Sequence, residues 1–187
     1  MSAAAVSLDY LDPVQGWRLW SVVTAGGRSR LQSLVCPSIW WPGRELVATC
    51  EASPRDSLRP WRRRLPGHVA PEPRCTCGVH AMERVRHLGT YVPPAASRLV
   101  VQRAVGRVAL WGDVVEGSRG WRAARGYPAE LWLPQADLRR QTAADLEQIA
   151  VELADYGVPV HVCDGMSARD VIAELAGGSP RLATYRP

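Results

Sequence analysis

"GRVALWGDVVEGSRGWRAARGYPAELWLP", residues 106 to 134, decides the fold. β-Branched and apolar residues fill both ends of the stretch, and the turn-forming run Glu116 to Gly120 lies between them, so it reads as a long hairpin. Its first arm reaches back to Leu99 through "LVVQRAV". At a period of two, Val108, Leu110, Gly112 and Val114 share one face, and Arg107, Ala109, Trp111, Asp113 and Val115 share the other. Gly112 marks a bend, read as a bulge. Trp111 and Trp121 are expected to meet across the hairpin as a core aromatic pair. "AELWLP" (129 to 134) reads as a further strand.

Upstream, "GWRLWSVV" (16 to 23), the glycine turn in "AGGRSR" and "LQSLV" (31 to 35) read as a second hairpin, and "RELVATC" (44 to 50) as a third short strand. Downstream the period changes. "TAADLEQIAVELADYGVPV" offers Thr142 as N-cap, the stripe Leu146, Ile149, Ala150 and Leu153, and Gly157 as a stop. "VPVHV" (158 to 162) then reads as a strand, and Ser167 caps a last helix that ends at Gly177 and Gly178. The expected fold is therefore α+β: a bent antiparallel β-sheet or partly open barrel, an irregular metal-pinned loop, and a C-terminal β-α-β-α unit. Its 187 residues suit a single domain, 1–187, with a β-rich part (14–128), a β-α-β-α tail (129–178) and short flexible termini.

No apolar run approaches the roughly 20 residues of a membrane span, and the start "MSAAAVSLDYLDPVQGW" lacks the basic and apolar regions of a secretory signal. A cytoplasmic location, no membrane partner and no stable disulfides are expected. All 23 basic residues are Arg, with a formal charge of +5, and there is no Phe. Guanidinium groups suit phosphate and carboxylate, so an anionic partner fits.

Between Ser53 and Arg74 lie Pro54, Pro60, Pro66, Pro71 and Pro73, with Arg62, Arg63 and Arg64 among them, so neither helix nor interior strand persists in the loop 53–74. "GHVAPEPRCTCGVHA" (67 to 81) follows closely. Cys50, His68, Cys75 and Cys77 form a Cys3His donor set that suits tetrahedral zinc, and Gly78 permits the tight turn after Cys77. His80 and Cys36 are competing ligands. An irregular loop of this length is uncommon unless it is functional or pinned, and a structural zinc ion would pin it. Cys163 reads as a small core residue and His161 as packed or exposed.

These pieces in order, "GWRLW", "ATC", "GHVAPEPRCTCGVHA", "GRVALWGDVVEGSRGWRAARGYPAEL" and "YGVPV", resemble an uncharacterised family of small bacterial, mainly actinobacterial, proteins with a Cys-x-Cys-Gly element and a Leu-Trp-Gly hairpin. The resemblance covers roughly Gly16 to Val160 and brings no activity with it. It implies an aromatic residue at the position of His80, which weighs against His80 as a ligand.

Arg59, Trp61, Arg62, Arg63 and Arg64, joined by Arg119, Arg122 and Arg125 of the hairpin, combine phosphate-neutralising groups with a stacking ring. The leading expectation is a zinc-stabilised binding protein for an anionic partner, nucleic acid ahead of an acidic protein. A protein adaptor using Trp and Arg surface, with Trp17, Trp20, Trp40, Trp41 and Trp111 as candidate anchors, is the alternative. A metal-dependent hydrolase comes third: no nucleophile elbow, phosphate loop or His-Glu-x-x-His motif is present, and no catalytic residue is assigned.

Overall fold

The computed structural model describes residues 7–9, 12–50, 68–91, 100–135, 143–178 and 184–185. The hairpin of the opening stretch is its spine: β6 (Val100–Gly117) turns through Ser118 and Arg119 into β7 (Gly120–Pro134). β7 runs unbroken through Pro128, so "AELWLP" continues the hairpin arm and is not a separate strand. Pro128 is tolerated because the ladder shifts register between Arg107 and Val108, beside it. A second shift lies between Trp111 and Val114, where Gly112 takes φ 74° and an added Cβ would stand 3.2 Å from that of Ala124. This is the expected bulge. The same register places Arg125 opposite Trp111 and Glu116 opposite Trp121, so the two tryptophans do not pair.

β2 (Val14–Ala25) and β3 (Arg28–Ser33) form the second hairpin, with Gly26 and Gly27 both in the left-handed region that its two-residue turn requires. β1 (Ser7–Asp9) lies on the outer edge of β6, and β4 shrinks to Leu46–Val47, paired with β7. β5 (Val79–Met82) pairs with β7 along its length and meets β2 through Trp17 and Met82. β2, β6, β7 and β5 thereby close a ring of four strands that is not a regular barrel. After β7 come α1 (Ala143–Leu153), β8 (Val160–Cys163), α2 (Ala168–Gly177) and β9 (Thr184–Tyr185). β8 runs parallel to β7 and β9 antiparallel to β8, so the nine described strands form one mixed, bent sheet in an α+β fold.

Apolar residues on neighbouring positions serve opposite faces of this sheet. Trp20, Val22, Val108, Leu110, Leu131 and Leu133 join Leu146, Ile149, Ala150 and Leu153 of α1 in one core. Leu19, Val105 and Trp132 join Val171 and Ile172 of α2, and Val85 and Leu88 of a 3-10 segment, in the other. The stripe expected on α1 is thus its buried face. Gly157 takes the left-handed conformation just beyond α1, and Ser167 caps α2 in a reciprocal box with Asp170; Thr142 lies outside the described residues. α1 and the 3-10 turn after it (Ala154–Tyr156) are tied to the β2–β3 hairpin by polar groups: Glu152 of α1 accepts from the Ser29 amide (2.6 Å), and Arg28 and Arg30 reach Asp155 of the turn at 3.0 and 3.5 Å.

Gly106 sits where β2, β6 and β7 cross; an added Cβ would collide with the Glu130 carbonyl and stand 3.0 Å from the Trp20 ring. Gly106→Ala should cost about 1–3 kcal/mol, read as a lower urea midpoint at unchanged slope. Burial works to raise the Glu152 pKa, but the hydrogen bonds from Ser29 and Gln148 outweigh it and hold the carboxyl below its ordinary value. A depressed folded pKa adds stability above the unfolded value that is lost as pH falls through the folded one. Glu152→Gln should therefore flatten the acid limb of a stability-against-pH curve.

Candidate metal centre

The four donors arrive from three places. Cys50 follows β4, whose extension donates the Ala48 amide to the Ala124 carbonyl of β7 (2.7 Å). His68 lies four residues before Glu72, where the next turn starts. Cys75 and Cys77 occupy a turn that begins with the Cys75 amide bonding the Glu72 carbonyl (2.9 Å), with Pro73 second in the turn, where its fixed φ suits it. Gly78 ends the turn at φ 126°; an added Cβ would meet that of Arg122 at 3.0 Å and that of Pro71 at 3.2 Å. The chain then enters β5 directly.

The ligand atoms of Cys50, His68, Cys75 and Cys77 all lie within 4.8 Å of one another, and all four residues are half-buried. The sulfurs of Cys50 and Cys75 are 3.8 Å apart, and His68 Nε2 is 3.3 Å from the Cys77 sulfur. Around a tetrahedral ion with bonds to sulfur of about 2.3 Å, sulfur atoms stand about 3.8 Å apart, so the first distance is a tetrahedral edge. It is far beyond the ~2.05 Å of a disulfide, and all the cysteines are free thiols. The group can hold a metal ion. Four protein donors fill a tetrahedral ion and leave no position for a reactive water, which makes such a site structural. Burial and the neighbouring sulfurs raise the pKa of Cys50, whereas at Cys75 burial is outweighed by hydrogen bonds, that with the Cys77 backbone foremost, and the pKa falls.

Two guanidinium groups hold the turn and the strand that follows it by their carbonyls. Arg122, on β7, donates through Nη1 to the carbonyls of Cys75 (2.5 Å), Cys77 (2.9 Å) and Glu72 (3.3 Å). Arg18, on β2, donates to the His80 carbonyl and to Ser33 Oγ (3.0 Å), while its guanidinium lies against the rings of Trp40 (5.2 Å) and Trp20 (5.9 Å). Burial lowers the Arg18 pKa to about 10. Spacing alone pairs neither arginine with the turn; strand pairing brings them there, so neither was legible in the sequence as a support.

The competing ligands stay outside the cluster. His80 Nε2 donates to the Thr76 carbonyl (2.8 Å), and desolvation, joined by the charges of Arg18 and Arg122, holds its pKa below the ordinary imidazole value. Cys36 is exposed in the stretch after β3. Cys163 is buried, its thiol pushed up to about 12 by desolvation, and His161 is buried with Nε2 2.8 Å from Glu130 and its ring stacked on Trp132. Arg119, Arg122 and Arg125 go to different places: Arg119 is exposed at the hairpin tip, Arg122 is engaged by the turn, and Arg125 pairs with Glu45 (2.9 Å). Arg59, Trp61, Arg62, Arg63 and Arg64 lie outside the described residues. Of the tryptophans considered as surface anchors, Trp20 and Trp40 are core residues packed edge to face, Trp17 and Trp111 are half-buried, and Trp41 is exposed.

No described helix is long and apolar enough to cross a membrane. No protein-family model matches the chain, and no curated protein or solved structure matches it either.

Arg122 contacts the turn through backbone oxygens and supplies no ligand, so Arg122→Ala should leave the donor set intact and weaken metal binding about 10–100-fold. Competition against a chromophoric chelator measures this, with Co2+ absorption reporting whether the tetrahedral geometry survives.

Proposed function

We propose that this chain is a zinc-stabilised binding protein for an anionic partner, nucleic acid foremost. The observation that carries the reading is the Cys3His cluster, whose tetrahedral-edge spacing and soft donors suit zinc. Its position adds to this: Cys50 immediately precedes and His68 immediately follows residues 51–67, which contain Arg59, Trp61, Arg62, Arg63 and Arg64. A zinc ion shared by Cys50 and His68 would bring the two ends of this segment together and remove much of its loop-closure entropy. A tethered segment of guanidinium groups and one indole supplies sequence-independent phosphate contact with base stacking. The all-arginine basic complement and the +5 formal charge favour the same partner.

Two measurements test this. Elemental analysis of untagged protein should find about one zinc per chain, lost in Cys75→Ser together with thermal stability; a metal-free protein of unchanged stability would sink the metal. Fluorescence anisotropy with labelled single- and double-stranded oligonucleotides should show binding that weakens steeply with log salt. The Arg62→Ala, Arg63→Ala, Arg64→Ala triple variant should reduce that slope by roughly 2–3. Absence of binding to any oligonucleotide at low salt would remove the nucleic-acid partner.

A further inference from the structure

We propose that Cys50 and Cys75 are a peroxide-sensitive modification site: a hydroperoxide joins them in a disulfide and expels the metal. The proposal rests on the metal reading for the expulsion; the pairing of the two thiols rests on geometry alone.

Their sulfurs are 3.8 Å apart, so forming the bond requires them to approach by roughly 2 Å, within reach of side-chain rotation. Both residues are half-buried, which leaves them open to a small oxidant, whereas Cys163 is buried. The backbone around Cys75 and Cys77 is held by the Arg122 guanidinium, by the turn closed on Glu72 and by Gly78, which resists the bending that joining those two alternate residues would require. Cys77 lies against the sulfurs of both Cys50 and Cys75 as well as 3.3 Å from His68, so Cys50–Cys77 is the competing pair that the variants below separate. Cys50, at the end of the β4 extension, is the partner that can turn toward Cys75.

The steps balance with the hydroperoxide as the sole oxidant. One of the two thiolates attacks the peroxide oxygen, breaking the O–O bond, to give a sulfenic acid and an alkoxide, or hydroxide when the oxidant is hydrogen peroxide. The other thiolate then attacks the sulfenic sulfur, forming the S–S bond and releasing hydroxide. The two sulfurs have lost two electrons, the peroxide has gained them, and two protons from solvent convert the released anions to alcohol and water. Only His68 and Cys77 remain as donors, too few to retain a tetrahedral ion, so the cation leaves. A dithiol reductant and added zinc reverse both changes.

The test uses the full chain in a Cys36→Ser background, which removes the exposed thiol as a source of links between molecules. After graded hydrogen peroxide and alkylation, tryptic mapping should find residues 45–55 joined to residues 75–84, each bounded by arginines and holding Cys50 and the Cys75–Cys77 pair respectively. A zinc-sensitive dye should report metal release in proportion to this link. The link should persist in Cys77→Ser and vanish in Cys75→Ser. No link, a link between Cys75 and Cys77, a link that survives Cys75→Ser, or irreversible sulfinic acid at Cys75 without a link would each overturn the proposal. Should the purified protein contain no metal, the zinc reading fails on its own, and the tryptic map still decides the pairing.

Discussion

Closure of the four-strand ring depends on β5, a strand of four residues gripped from both sides through its own and the preceding carbonyls. Arg122 on β7 holds the oxygens of Glu72, Cys75 and Cys77, and Arg18 on β2 holds that of His80. β5 meets β2 at a single residue pair, Trp17 with Met82, too little backbone hydrogen bonding to close a sheet alone. The guanidinium groups supply the missing donors. Because each carries several N–H groups in a fixed plane, one side chain can satisfy several backbone oxygens that strand pairing leaves over.

The same grip brings the metal donors into range. Cys75 and Cys77 are placed by the turn that Arg122 holds, and Cys50 by the β4 extension pairing with β7 two residues beyond Arg122. Ring closure and the metal centre are therefore one construction, and Gly78, crowded between Arg122 and Pro71, is where they join. Four half-buried donors with the half-buried Arg122 guanidinium behind them form a site that can hold a metal ion.

The C-terminal elements complete the sheet rather than forming a unit of their own. β8 lies parallel to the last four residues of β7, and α1 and α2 cover opposite faces, which is why Leu131, Trp132 and Leu133 are all buried. A strand covered on both faces shows no alternation, so "AELWLP" carries no sign in its pattern that it continues the preceding arm. Polar pairing also contributes: the Glu152 and Asp155 contacts bind α1 and the 3-10 turn after it to the far hairpin, and His161, paired with Glu130, stacks on the Trp132 ring.

Local chemistry by itself determined the long hairpin, the Gly112 bulge, the glycine turn of the first hairpin, the stripe of α1 and the cap of α2. Each depends on residues within a few positions of one another. Local chemistry also limited the donors to a small set, because soft ligands are few in this chain. Only the tertiary structure decided which of them assemble. His80 is nearer to Cys77 in sequence than His68 is, yet it begins to alternate with β5 and turns its ring nitrogen to Thr76, while His68 is brought back to the cluster. The Trp111–Trp121 pairing failed for another reason: the two-residue turn at Ser118 and Arg119 leaves Trp121 beside the turn, opposite Glu116, while Trp111 lies well up the other arm opposite Arg125. Arg122, legible in the sequence only as one more positive charge, became the support of the centre because β5 and β7 lie side by side, a contact between segments some forty residues apart that depends on the whole sheet having formed.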